Sequence, residues 1–205
     1  MTIMILMAYP LSKEKGEFRS RNIFMWMMVF TMLFSGGLIP TYMTIRSLNL
    51  IDSIWALVLP SSVSAGNTII LMRFFRNNPK EIEEAAIVDG AGAMRILLTI
   101  ILPISLPAIA TLSLFVIVYH WNDFFAGMIY INDPAKYPLQ TYIRSLTVDI
   151  NFDHLSVEEI EEQLKISSRT FNAAKIVVSM VPILCIYPFL QRYFVKGLVL
   201  GSVKG

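Results

Sequence analysis

A chain of 205 residues that is 55% hydrophobic and only 16% charged is too apolar for an ordinary soluble domain, and its mean hydropathy is +0.60. A formal net charge of +2 provides no broad basic surface, so no nucleic-acid partner is expected. The composition points to an integral membrane protein, all-α, built as a polytopic helix bundle.

Residues 1–10 are apolar but only about half as long as the ~20 residues that cross a bilayer. No basic residue precedes them and no small-residue cleavage pattern follows, which argues against a signal peptide. They are expected to be the end of an N-terminally truncated span. Residues 23–45, 53–72 and 96–119 carry no charge, and each reaches crossing length. Residues 171–190 make a fourth span, with Lys175 near one end and able to snorkel. Four complete spans are therefore expected. Gly36-Gly37 and Pro40 interrupt the first, and Pro60 with Ser61, Ser62, Ser64, Gly66 and Asn67 softens the second. Pro103 and Pro107 kink the third, and Pro182 and Pro188 the fourth. Such breaks accompany either close helix packing or the binding sites and hinges of transporters. The single cysteine, Cys185, lies in an apolar span and can form no internal disulfide.

Lys13, Lys15, Arg19 and Arg21 follow the first fragment, Arg73, Arg76, Lys80 and Arg95 bracket residues 84–90, and Arg192, Lys196 and Lys204 follow the last span. Excess Lys and Arg mark cytoplasmic loops, so all three clusters are expected inside. The acidic connection 133–169, with Glu158, Glu159, Glu161 and Glu162, is expected outside.

Between the second and third spans lies a polar, helix-forming insert, residues 78–92. Asn78-Pro79 reads as an N-cap followed by proline at the first helical position. Glu81 stands at the spacing that reaches back to the cap, and Glu81, Glu83 and Glu84 suit the positive end of the helix dipole. Ile82, Ala85, Ala86 and Asp89 share one face, kept shallow by the alanines. Gly90 suits a left-handed C-terminal cap, and Gly92 adds a second pivot. The bland reading is a surface helix with no partner; the sharper one is a docking helix for a soluble protein.

Glu84-Ala85-Ala86, three residues, Gly90, nine residues, Ile100, one residue and Leu102-Pro103 resemble the cytoplasmic signature of binding-protein-dependent ABC importer permeases. Ala8-Tyr9-Pro10-Leu11-Ser12-Lys13, Leu38-Ile39-Pro40-Thr41-Tyr42, Trp121-Asn122-Asp123 and the ending 191–205 are similar to the carbohydrate, maltose-type branch. Phe34-Ser35-Gly36-Gly37 resembles a sub-branch associated with oligosaccharide or polysaccharide uptake. The resemblance covers essentially the whole chain. It implies a permease subunit without catalytic site or cofactor, in the bacterial cytoplasmic membrane, with its C-terminus inside. It also implies a second permease, two cytoplasmic ATPases and an extracytoplasmic sugar-binding protein as partners, with lipid around them. Helix 78–92 would be the coupling helix, with Glu81, Glu84, Ala85, Ala86, Asp89 and Gly90 at the ATPase contact. The outer loop 133–169 would meet the binding protein, and the tail ending at Gly205 would reach toward the ATPases. Permeases of this branch have six spans, so the first and most of the second are expected to be missing here.

Trp121-Asn122-Asp123-Phe124-Phe125 closes the third span on its outer side. Aromatic faces stack on sugar rings and Asn and Asp bond hydroxyls, so Trp121, Asn122 and Asp123, with Asn67 in the interrupted second span, are candidate substrate-pathway residues. An interfacial aromatic belt with polar caps is the competing reading. His120 and His154 have no cysteine or second histidine nearby, so no metal is expected. A secondary transporter would carry mid-span charges, which these spans lack. A membrane enzyme would carry a motif such as His-Glu-x-x-His or Gly-x-Ser-x-Gly, also lacking here. A nonfunctional permease fragment is the third alternative.

Overall fold

The computed structural model describes residues 1–148 and 173–188, and every regular element among them is helical. In chain order these are α1 (Thr2–Ser12), α2 (Arg21–Leu33), α3 (Leu38–Ser47), α4 (Ile54–Val58), α5 (Ala65–Arg76) and α6 (Lys80–Val88). There follow α7 (Ala93–Ile104), α8 (Leu106–Asn122), α9 (Phe125–Tyr130), α10 (Leu139–Val148) and α11 (Ala173–Pro188). Part of the fourth expected span, most of the outer loop 133–169 and the C-terminal tail lie outside the described residues.

The uncharged stretches form broken helices rather than single rods. No described helix is by itself long and apolar enough to cross a membrane, but two bent pairs together are. The first pair is α2 and α3, which meet at 118°. Gly37 makes the corner possible with φ +84°, a left-handed backbone that side chains resist. Pro40 then falls in the first turn of α3, where its missing N–H has no helical partner to lose. The second pair, α7 and α8, is bent by 82° at Ser105. Pro103 and Pro107 flank that bend, and each lacks the N–H that would continue the ladder. Just before it, Leu97–Ile101 widens into a π turn. The expected span 53–72 is divided into α4 and α5 by residues 59–64. Pro60 sits in that gap, and Ser64 opens α5 by accepting the Asn67 N–H at 3.3 Å.

The main core joins α1, α2, α5, α7 and α8 through Ala8, Tyr9, Met28, Leu71, Phe75, Ile96, Leu97, Ile101 and Leu112. Ala8, fully buried, lets α1 lie close along α5. Thr68 is also fully buried, and its hydroxyl donates to the Ser64 carbonyl at 2.7 Å. A smaller cluster of Ile45, Ala56 and Tyr130 joins α3, α4 and α9. Outward-facing residues are large and apolar, with Trp26, Leu33 and Ile39 each more than 70% exposed, as a lipid-facing surface requires.

The loops meet at two ends. At one, residues 13–18 lie against α6. At the other, the turn before α4 is tied to the segment after α9 by Asp52, which adopts φ +62°. Its Oδ1 accepts the N–H groups of Asn132 and Asp133, both at 3.0 Å, and its Oδ2 meets Lys136 Nζ at 2.5 Å. The Lys136 ammonium and those amides hold the Asp52 carboxyl down to about 2 from its ordinary 3.8, and Asp52 in turn raises the Lys136 value. A lowered carboxyl favours the tied state above the ordinary value and loses that contribution as pH falls through 3.8 toward about 2. Acidification across that window should speed hydrogen exchange at the Asn132 and Asp133 amides. Asp52→Asn, which still tolerates positive φ, should show the faster exchange already at neutral pH.

Candidate functional site

The insert predicted over 78–92 contains a helix, α6, that ends as a glycine-capped helix should. Gly90 has φ +79°; its N–H donates to the Ile87 carbonyl and the Ala91 N–H to the Ala86 carbonyl, each at 2.9 Å. These are the two bonds of a Schellman cap, and Ala86 and Ala91 supply its apolar contact by packing on the main core.

The start of α6 differs from expectation. The helix begins at Lys80 with Pro79 at the cap position, and no side chain caps it. Asn78 does not fold back onto the helix; its Nδ2 donates to Ser105 Oγ, at the bend between α7 and α8, at 3.3 Å. Without Asn78 at the cap, Glu81 has no capping box to complete. Glu81 and Glu83 still stand in the first turn, where the helix dipole favours acids.

Of the expected contact residues, Glu81, Glu84, Ala85, Asp89 and Gly90 are exposed. Ala86 is the exception: it turns toward the main core, because the cap draws that carbonyl and side chain inward. The outward surface gains two residues absent from the expected set, Ile87 and Val88, of which Val88 is 87% exposed. An acidic helix that presents bare aliphatic groups to water is suited to a protein partner.

The inner side of α6 rests on the end of α1. Glu83 Oε1 accepts from Tyr9 Oη at 3.1 Å and pairs with Lys13 Nζ. Burial draws the Lys13 ammonium below its ordinary value, and Glu17 offsets this in part. Lys80 pairs with Glu14 in the open; the hydrogen bond lowers the Glu14 carboxyl and raises the Lys80 ammonium. Between α6, α1 and α7 lies a groove of about 490 Å³ lined by Leu6, Tyr9, Phe18, Ile87 and Met94 among others.

A larger cavity, about 840 Å³, opens among α1, α4, α5, α8 and α9. Two of the four expected pathway residues, Asn67 and Asp123, line it with Ser61, Ser64, Tyr119, His120 and Tyr130. Asp123 also accepts the Ala126 N–H at 3.1 Å, which starts α9. Trp121 and Asn122 do not belong to this lining. Trp121 Nε1 donates to the Ser179 carbonyl at 2.8 Å and so fastens α8 to α11, while Asn122 Nδ2 turns back to the Val118 carbonyl at 2.8 Å. Tyr119, His120 and Tyr130 were not among the expected pathway residues; the fold sets them beside Ser61 and Ser64 from the break at 59–64. Hydroxyls, an amide, an imidazole and a carboxylate beside Phe115 and Phe125 form a lining that can hydrogen-bond and stack on a sugar.

Residues 17–200 match a family described as binding-protein-dependent transport system inner membrane component. The chain is 44% identical over 205 residues to the polygalacturonan/rhamnogalacturonan transport system permease protein YtcP of Bacillus subtilis, covering all of this chain and 71% of that protein. It is 32% identical to the sn-glycerol-3-phosphate transport system permease protein UgpE of Yersinia pestis, over 97% of this chain and 66% of that one. Among solved structures it is similar to a bacterial ABC transporter involved in import of the acidic polysaccharide alginate. That match has 33% identity and a TM-score of 0.81, and covers 93% of this chain and 67% of that chain. The chain thus spans about two thirds of the length of these relatives.

Proposed function

The chain belongs to the family of binding-protein-dependent transport system inner membrane components, and from that premise we propose that it lines the sugar path of an ATP-driven importer. The reading places it in the bacterial plasma membrane as a multi-pass subunit. Its partners are a second permease, two cytoplasmic ATPases and an extracytoplasmic binding protein. Oligosaccharides cut from acidic polysaccharides are the proposed cargo, supported by the named substrates of the polygalacturonan and alginate relatives.

The observation that carries the mechanism is the continuity from α6 to the cavity. Glu81, Glu84, Ala85, Asp89 and Gly90, with Ile87 and Val88, form the proposed ATPase contact. The Schellman cap fixes the direction in which α7 leaves that contact. The π turn and the bend at Ser105 follow, and beyond them α8 brings Phe115, Tyr119 and His120 to the cavity wall. Displacement of α6 by closing ATPases is carried along α7 and taken up at the bend, re-aiming α8. Asn67 on α5 would contact the sugar from the facing side, and Asp123 from the end of α8 itself. Trp121 and Asn122 lie outside the cavity lining, so the proposed sugar contact is assigned to Asn67 and Asp123.

The test is uptake of labelled short oligogalacturonides into proteoliposomes that hold the full protein with its partner subunits. Uptake should require ATP and the binding protein. Equal uptake driven by an ion gradient without ATP would establish a secondary transporter instead. The orientation has its own check, in a Cys185→Ser background. Lys15→Cys should resist an impermeant thiol reagent in intact cells while Ala135→Cys reacts; the reverse pattern would put α6 on the wrong side for any ATPase.

A further inference from the structure

No residue of α6 is buried, so apart from the half-buried Ala86 its polar contacts decide where it sits. One of these contacts stands apart. Glu83 is held by both Lys13 and Tyr9, and the Lys13 ammonium lies 4.6 Å from the centroid of the Tyr9 ring. The Lys13 and Glu83 side chains are only 17% and 21% exposed, whereas those of Lys80 and Glu14 are 61% and 56% exposed. An open ion pair yields readily to water, but a withdrawn one with a second hydrogen bond keeps its geometry.

Tyr9 and Lys13 stand four residues apart at the C-terminal end of α1, which places both on one face. The same helix carries Met4, 2% exposed, to the wall of the large cavity. Met4 and Tyr9 are about 7–8 Å apart along the helix at 1.5 Å per residue. Ala8 and Leu11, both between Met4 and Lys13, anchor α1 in the main core.

We propose that Glu83, Lys13 and Tyr9 form a lateral link through which α6 moves α1 and thereby the cavity wall at Met4. The three are positioning residues: they touch neither sugar nor nucleotide. The inference rests on the docking reading of α6 and adds a second route to it. The route through α7 follows the chain, while this one crosses between elements 74 residues apart in sequence. Two routes that reach the cavity from different sides turn one displacement of α6 into a relative movement of α1 and α8. A single route would only carry the wall along.

The experiment measures oligogalacturonide transported per ATP hydrolysed by the complete reconstituted complex, alongside ATPase co-purification. Lys13→Met and Tyr9→Phe should keep the ATPases bound and their basal turnover unchanged. Lys13→Met should lower transport per ATP by at least about fivefold, the low end of ordinary coupling energies. Tyr9→Phe should give a smaller loss, and Lys13→Arg should restore coupling. Transport per ATP within twofold of the parent in Lys13→Met would overturn the link, as would loss of ATPase binding in both Lys13→Met and Tyr9→Phe. Glu84→Lys separates this from the docking reading. If it uncouples while Lys13→Met does not, the link alone is wrong; if neither uncouples, the docking reading falls as well.

Discussion

Gly90→Val should sharply reduce substrate-stimulated ATP hydrolysis in the assembled transporter while leaving the chain in the membrane. The cause is conformational, since a Cβ at Gly90 would meet nothing within 4 Å. What the valine cannot accept is φ +79°, and a β-branched residue there costs on the order of 1–3 kcal/mol. Relief of that strain opens both Schellman bonds, frees the Ala86 and Ile87 carbonyls and lets α7 leave α6 in another direction. A strain of that size reduces the competent arrangement by roughly 5–150-fold. Gly90→Asn, which tolerates the left-handed region, should retain most of the stimulation. Equal stimulation in the valine and parent proteins, measured with oligogalacturonide-loaded binding protein, would show that the cap does not direct coupling. Glu84→Lys tests the same surface by charge instead of backbone, and the same loss is expected.

Gly127→Leu should prevent α9 from packing against the start of α10. Here the cause is space. A Cβ on Gly127 would stand 2.1 Å from Thr141 Oγ1 and 3.0 Å from both Pro138 Cδ and Thr141 Cβ. The hydroxyl could rotate away only by giving up its 2.9 Å bond to the Phe124 carbonyl, and neither the proline ring nor the threonine Cβ can yield. Even Gly127→Ala should cost about 1–3 kcal/mol, the usual range for overpacking, and the leucine more. Because α9 carries Ala126 and Tyr130 to the cavity and Tyr130 to Asp52, thermal stability in detergent and sugar uptake should fall together. A leucine variant with the parent's melting temperature would contradict this packing.

What could be read in the chain beforehand divides by distance. The helix at Glu84, its glycine cap and the breaks at Gly36-Gly37, Pro60 and Pro103 were legible, because each is specified within a few residues. The bend angles were not, since 118° and 82° depend on what each half packs against. Asn78 carried the local signature of an N-cap, yet Ser105, 27 residues away, offers the partner it takes. Trp121 looked like a sugar platform and serves α11 through a carbonyl 58 residues away. Ala86 was grouped with Ala85 and Asp89, which are exposed, yet it is half-buried against the main core, because its carbonyl takes the Ala91 N–H of the glycine cap, a contact that helical periodicity does not report. The Glu83 link left only Tyr9 and Lys13 at helical spacing as a signal, with nothing in the sequence to name its partner.

The corner at residues 34–37 bears on how such a subunit is made. Residues 31–40 are exposed, and neither α2 nor α3 is long enough to cross a bilayer alone. Backbone groups left bare in hydrocarbon cost several kcal/mol each. The Gly37 amide has only the Ser35 hydroxyl, at 3.3 Å, to turn to. Were this corner to lie in hydrocarbon, its bare backbone would be a local defect that another surface has to cover, so assembly with a neighbouring subunit would stabilise it.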